Sequence, residues 1–287
     1  VCGNVGIYVL SNIVLEDLAD LIDGLFTKAW KKGTATIVGT IIATINDYQG
    51  DFSHVLVEYY TLKVAEAILS RVVVAYMRKL RCMLNPSKSN RLRGNYITLS
   101  VDFLNQFAKD CDRLEMGTNE NVQRRRRLSA FAFLDDFKIL FGGNAQAIED
   151  LTHKLAAEIP SGDPRVRIAV EQAISSTVKL RSNLKSISKK EFLPNLMNII
   201  DEAMETKAEM GDENQESTNT SLSYSRLDMY KRAYAGQVTR EDEDYGAEEI
   251  GLDDGFNPFG EDEDGRLWMG HADDDIENER VELLHFM

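Results

Sequence analysis

The sequence predicts an all-α protein: an elongated rod of consecutive antiparallel helical bundles, followed by a disordered acidic C-terminal tail. Three observations carry this. Apolar residues recur three and four positions apart from about residue 10 to residue 207, period-2 alternation is absent, and only five prolines interrupt 287 residues. A hydrophobic fraction of 43% is ample for a core. The formal charge of −14 is unevenly placed. Residues 241–287 hold 18 Asp and Glu against Arg266 and Arg280, so that segment carries −16 and the preceding 240 residues +2.

Leu10, Ile13, Val14, Leu18, Leu21, Ile22, Leu25 and Phe26 form the stripe of a first helix that Gly33 closes. A second is expected from about Thr34 to Tyr48, with Ile37, Val38, Ile41, Ile42 and Ile45 inward. Its β-branched content suits a strand, but its length favours a buried helix. A third runs from about His54 to Leu84 and stops before Pro86. Residues 85–95, NPSKSNRLRGN, are polar and basic and read as a junction loop. Helix four spans about Ser100 to Leu114 and Gly117 ends it. Helix five starts near Asn119 and ends at Gly142–Gly143, with Phe131, Leu134, Phe137 and Phe141 one turn apart. Helix six covers about Ala145 to Ile159. Helix seven opens with Asp163 as N-cap and Pro164 at its first position. Helix eight opens with a capping box, Ser188 and Glu191, and runs to about Lys207.

Each helix offers about five inward apolar side chains at roughly 1.5–3 kcal/mol apiece. None would persist alone in water, so antiparallel packing through short loops follows. The expected organisation is a bundle over 1–84, a junction at 85–95, a C-terminal bundle over 96–207, and a disordered tail over 208–287.

Cys2, Cys82 and Cys111 show no paired spacing, which fits a reducing compartment and no metal site. The longest apolar runs are shorter than a bilayer span, so no transmembrane segment is expected. The opening VCGNVGIYV has neither an initiator Met nor a charged signal-peptide start, and reads as a piece of a longer chain. His54, His153, His271 and His285 lie far apart, and no HExxH, CxxC, nucleophile elbow or phosphate-cradling glycine loop occurs. The sequence thus points to no catalytic residue, cofactor, metal or small-molecule substrate. Pairs such as Asp135-Asp136 read as ordinary solvated faces. A near-neutral body with an acidic tail argues against nucleic acid.

Arg124, Arg125, Arg126 and Arg127 occupy four consecutive positions near a helix start, where the helix dipole disfavours cations. Glu120 is placed to pair with Arg124. The run reads as a patch for phosphoinositide headgroups or an acidic protein segment, or as a solvated turn, or as a partner for the chain's own tail. Arg126–Ser129, RRLS, resembles a basophilic kinase site. In the tail, Asn257, Pro258 and Phe259 resemble the tripeptide captured by EH-domain proteins. Tyr224–Leu227 resembles a tyrosine-based adaptor signal, Glu279 with Leu283 and Leu284 an acidic dileucine, and Thr239 ahead of Arg240-Glu241-Asp242 an acidophilic kinase site. Such motifs act through one or two apolar anchors with charges steering the encounter, and each also arises by chance.

The stretch from Thr44 to Tyr76 carries more information. Thr44-Ile45-Asn46-Asp47-Tyr48, then Asp51-Phe52, then Arg71-Val72-Val73-Val74-Ala75-Tyr76 resemble the C-terminal region of the exocyst complex component 3 family. Members of that family carry a similar acidic DY and DF segment ahead of a long helix with RVVVEY or a close variant. LFTKAWKKG (25–33), DDFKILFGG (135–143) and DPRVRIAVEQAI (163–174) agree in placement, so the resemblance covers about residues 5–205. It implies a non-catalytic, cytoplasmic subunit, peripheral at the plasma membrane and secretory vesicles, in a tether that holds vesicles before SNARE-mediated fusion. The implied partners are other exocyst subunits and SNARE proteins. Asp47, Tyr48, Asp51 and Phe52 are expected to shape the turn between two long helices. The alternative reading is an endocytic or membrane-trafficking adaptor working through the tail motifs; a third is an acidic-tailed binder of basic proteins.

Overall fold

A computed structural model describes residues 2–27, 30, 36–85, 96–117, 129–160, 163–181, 189–210, 225–234, 260–261 and 267–268. The helices are α1 (Cys2–Asp17), α2 (Ala19–Gly24), α3 (Thr36–Val55), α4 (Glu58–Leu84), α5 (Val101–Gly117), α6 (Ser129–Gly142), α7 (Ala145–Glu158), α8 (Pro164–Leu180), α9 (Lys189–Met210) and α10 (Arg226–Tyr234). All belong to one compact unit, residues 1–241, and the all-α class holds for it. The second unit, residues 242–287, contributes a two-residue antiparallel pair, β1 (Gly260–Glu261) with β2 (Leu267–Trp268).

Helix α4 organises the first unit. Sixteen of its 27 residues are buried, with an unbroken run from Val64 to Ser70 and another from Val72 to Met77. A helix apolar on nearly every side needs neighbours on every side. It finds them in α1, α2 and α3 and, further along, in α6 and α10. Helix α5 likewise packs on both α3 and α6. Helix α4 thus serves helices that precede residues 85–95 in the chain and helices that follow them.

Three element boundaries differ from the sequence reading. The first helix begins at Cys2 and ends by Gly24, well before Gly33. Its break comes from Phe26, which adopts φ 62° and drives its ring between Trp30 and Tyr76, each 4.9 Å away. A non-glycine residue held there costs on the order of 1–3 kcal/mol, which the surrounding packing must offset. Helix α3 continues to Val55 rather than stopping at Tyr48. Gly50 faces open space, and Ser53 donates back to its carbonyl at 2.6 Å, so nothing ends the helix there. Asp47, Tyr48, Asp51 and Phe52 accordingly lie within α3, not in a turn.

The third difference concerns the tail. Composition predicts disorder from residue 208, yet α9 runs to Met210 and residues 226–234 form α10. Arg226, Met229, Tyr230, Ala233 and Tyr234 make one buried face against α4, α6 and α8. Nine residues cannot sustain a helix alone, so α10 owes its order to that surface.

Basic side chains from other elements close several helix C-termini, where carbonyls lack intrahelical partners. Arg181 donates to Leu140 O (3.0 Å) and Gly143 O (2.6 Å) at the end of α6. Lys207 of α9 donates to the carbonyls of Ala156, Ala157 and Ile159 at the end of α7. The side-chain N-caps of α7 and α8 follow from local sequence. Asn144 accepts from Ala147 N, and Asp163 accepts from Arg165 N and Val166 N ahead of Pro164.

Candidate functional site

The segments that carry the family resemblance meet in the interior. Trp30 donates its indole N–H to Asp110 Oδ2 at 2.7 Å, and Tyr76 donates its hydroxyl to the same oxygen at 3.1 Å. Gln106, one turn before Asp110 on α5, donates to Oδ1 at 3.0 Å. Phe26, Phe103, Phe107 and Phe141 wall the cluster with ring contacts of 4.9–6.1 Å. Burial pushes the Asp110 carboxyl above its ordinary value, against the pull of these donors. Tyr76 is thus a joint between α4, α5 and the Trp30 segment. Sequence reasoning misses Asp110, because an Asp on an amphipathic helix gives no sign of partners 80 and 34 residues away.

The other resemblance residues fasten α1. Tyr48 hydrogen-bonds Asp17 and packs at a tilt against Phe52, 5.8 Å away. Arg71 donates to Asn12 and lies over the Tyr8 ring at 4.5 Å. Phe52 is buried, whereas Asp47 and Asp51 are exposed.

A second polar cluster seats α10. Arg226 forks onto Asp136 with contacts of 2.5 and 2.6 Å and reaches Glu158 at 2.9 Å. Tyr230 donates to Asp136 Oδ2 at 2.9 Å, and Lys231 pairs with Asp163 at 3.0 Å. Asp135 is exposed, but Asp136 is buried and paired with a cation, so the two are not a solvated face. Burial acts against the Arg226 charge, yet Asp136 and Glu158 outweigh it and hold the guanidinium above its ordinary pKa. At the opposite end, Arg78 and Arg81 donate to the carbonyls of Arg232 and Ala233, both at 2.8 Å. Tyr230 packs edge-on to Phe133 (4.8 Å), and Tyr234 stacks on Phe137 (6.3 Å) under Arg81. Burial pushes the Tyr234 phenol up to about 12.

On the outside, exposed apolar side chains occur at the α3–α4 corner and on α1. Val55 (70% exposed), Val57 (65%) and Tyr59 (57%) flank the α3–α4 corner. Tyr60 lies against α1, so close to Gly3 that a Cβ there would sit 2.9 Å from its ring. Val5, Tyr8 and Val9 are exposed on α1. Single exposed apolar residues are normal; the number of aromatic and β-branched ones on these elements sets them apart.

The Arg124–Arg127 run and Asn257-Pro258-Phe259 lie outside the described residues, as do Thr239, Glu279, Leu283 and Leu284. Of RRLS, Ser129 is described; it opens α6 half-buried. Of the tyrosine-based signal, Tyr224 is outside the description, while Arg226 and Leu227 belong to a packed helix and not to an extended segment. Among the described residues, no three His, Cys, Asp or Glu side chains converge as a metal site would require, and no helix is long and apolar enough to cross a membrane. Cys111 is buried, which pushes its thiol pKa up; Cys82 is half-buried and likewise not in a disulfide.

A family model described as exocyst complex component Sec6 matches residues 3–160, from the start of α1 through α7. The match stops short of α8, α9 and α10, whereas the sequence resemblance extends to about residue 205. No curated protein and no solved structure matches the chain.

Proposed function

The chain belongs to the exocyst complex component Sec6 family, and from that premise we propose that it works as a non-catalytic subunit of the vesicle-tethering complex, the counterpart of exocyst complex component 3. In this reading it helps dock secretory vesicles at the plasma membrane before SNARE-mediated fusion. Its partners are other exocyst subunits and SNARE proteins, and it acts peripherally on both membranes. The family match over 3–160 is the observation that carries the reading. The architecture supports it: the polar clusters at Asp110 and Asp136 are consumed in joining helices, as a scaffold requires.

We assign the patch of Val5, Tyr8, Val9, Val55, Val57, Tyr59 and Tyr60 to contact with the apolar face of a neighbouring subunit. Aromatic anchors at the centre of a contact carry most of its energy. The Val57→Asp, Tyr59→Asp double variant should therefore lose co-purification of at least one exocyst subunit while keeping the wild-type circular dichroism. Retention of every subunit would overturn the assignment. Deleting residues 242–287, which leaves α9 and α10 in place, separates the tether from an adaptor that works through Asn257-Pro258-Phe259 or Leu283-Leu284: a tether keeps its subunit contacts, an adaptor loses its partners.

A further inference from the structure

Four arginines lead directly into α6. Arg124, Arg125, Arg126 and Arg127 are followed by Leu128 and then by Ser129, the first residue of the helix. Ser129 is the one Ser or Thr of the sequence with arginine both three and two positions before it. Guanidinium groups at those two positions are what the acidic substrate groove of a basophilic protein kinase holds, because each offers a fork of donors to a carboxylate. The arginines lie outside the described residues, and Ser129 is where their segment joins the fold. A dianion suits that place. The first N–H groups of a helix have no intrahelical carbonyl, and the helix dipole there favours negative charge. The first turn of α6 holds no acidic residue to repel a phosphate. Ser129 is half-buried, whereas Ala130 and Phe131, which follow it, are buried, so the serine is the last residue before the core.

We propose that Ser129 is a phosphorylation site for a basophilic kinase, and that its phosphate secures the start of α6. The γ-phosphoryl group of ATP passes to Ser129 Oγ. A P–Oγ bond forms, the bond to the β-phosphate breaks, ADP leaves, and the hydroxyl proton goes to the base of the kinase. The product carries about −1.5 to −2 charges at pH 7, next to four arginines in the sequence and over the first N–H groups of the helix. Transfer requires residues around Ser129 to lie extended in the kinase groove. The first turn of α6 must therefore open, lifting Ala130 and Phe131 from the core, and the folded chain reacts more slowly than a free peptide. Once made, the phosphate opposes that opening. The site stands independently of the tethering reading, and its test is made on the isolated chain.

The test incubates the full, folded chain with ATP and the catalytic subunit of cyclic-AMP-dependent protein kinase, a basophilic enzyme. A peptide of residues 122–135 serves as the unstructured control. Mass spectrometry should place a stoichiometric phosphate on Ser129, and Ser129→Ala should abolish it. Arg126→Ala with Arg127→Ala should lower kcat/KM about tenfold or more while leaving the circular dichroism unchanged. Phosphate on the peptide but none on the folded chain shows that α6 withholds the hydroxyl and overturns the proposal. Labelling that survives S129A, or a rate indifferent to the two arginines, overturns it as well. Hydrogen exchange then reads the effect on the helix. Amides of the first turn of α6 should exchange about two- to fivefold more slowly in the phosphorylated chain, the fold-change of a favourable charge at a helix N-terminus. Equal or faster exchange overturns the claim that the phosphate secures α6.

Discussion

Replacing Arg226 by Met isolates what the polar seat of α10 contributes. The methylene stem is retained and the guanidinium lost, with its two contacts to Asp136 and its contacts to Glu158. Arg226 and Asp136 expose 9% and 5% of their side chains, so the carboxylate is left buried without its cation. Breaking a buried pair costs about 3–5 kcal/mol, and the surviving Tyr230 hydroxyl places this case near the lower figure, about 3 kcal/mol. Glu158 is more exposed, at 39%, and is rehydrated at little cost. In urea unfolding followed by far-UV circular dichroism, a slope of about 3 kcal/mol/M turns that loss into a midpoint about 1 M lower. The R226M/D136N double variant removes the stranded charge while leaving an acceptor for Tyr230. It should recover about half the loss, a coupling within the range of contacting pairs. A midpoint within about 0.2 M of wild type for R226M, or no recovery in the double variant, would show that the buried pair does not anchor α10.

Asp110→Asn should change the pH dependence of stability. Burial holds the Asp110 carboxyl above its ordinary value, so the folded chain binds that proton more tightly than the unfolded chain. Relative to D110N, wild type loses stability as pH rises from about 4, the ordinary carboxylate value, through the raised folded value; a stability difference that stays flat with pH contradicts this. Gly117→Ala should destabilise by about 1–3 kcal/mol, because the new Cβ would lie 2.4 Å from the Ile42 methyl. Adding Ile42→Ala should restore some of that loss, and the absence of any rescue in thermal unfolding would locate the strain elsewhere. Arg125→Glu with Arg126→Glu should weaken binding to phosphoinositide liposomes in a flotation assay, and an unchanged affinity would remove the lipid reading of Arg124–Arg127.

Helical periodicity is legible in most of the described helices, because those that bury one face repeat apolar residues every three or four positions, whereas α4 is apolar on nearly every side. The Asp163-Pro164 start of α8 can be placed from local chemistry alone. What escapes the sequence depends on tertiary partners. The break at Phe26 reflects an aromatic ring seeking Trp30 and Tyr76, and a hydrophobic residue in a periodic stripe gives no hint of a positive φ. Helix α10 is nine residues long, a length that cannot order itself, and its anchor is an arginine within the stretch that composition reads as disordered. Asp136 misleads for the same reason. Its neighbour Asp135 does face water, and only the arrival of Arg226, 90 residues later, separates the two. The sequence places the resemblance residues Tyr76 and Arg71 on one long helix, but their roles as joints to Asp110 and to Asn12 emerge only from the fold.

Whether this chain is a tethering subunit is decided by affinity purification of the tagged chain from cells, with quantitative mass spectrometry of what comes with it. Other exocyst subunits should be recovered in near-stoichiometric amounts, and Val57→Asp with Tyr59→Asp should deplete at least one of them. Recovery of adaptor or EH-domain proteins without any exocyst subunit would contradict the tethering role.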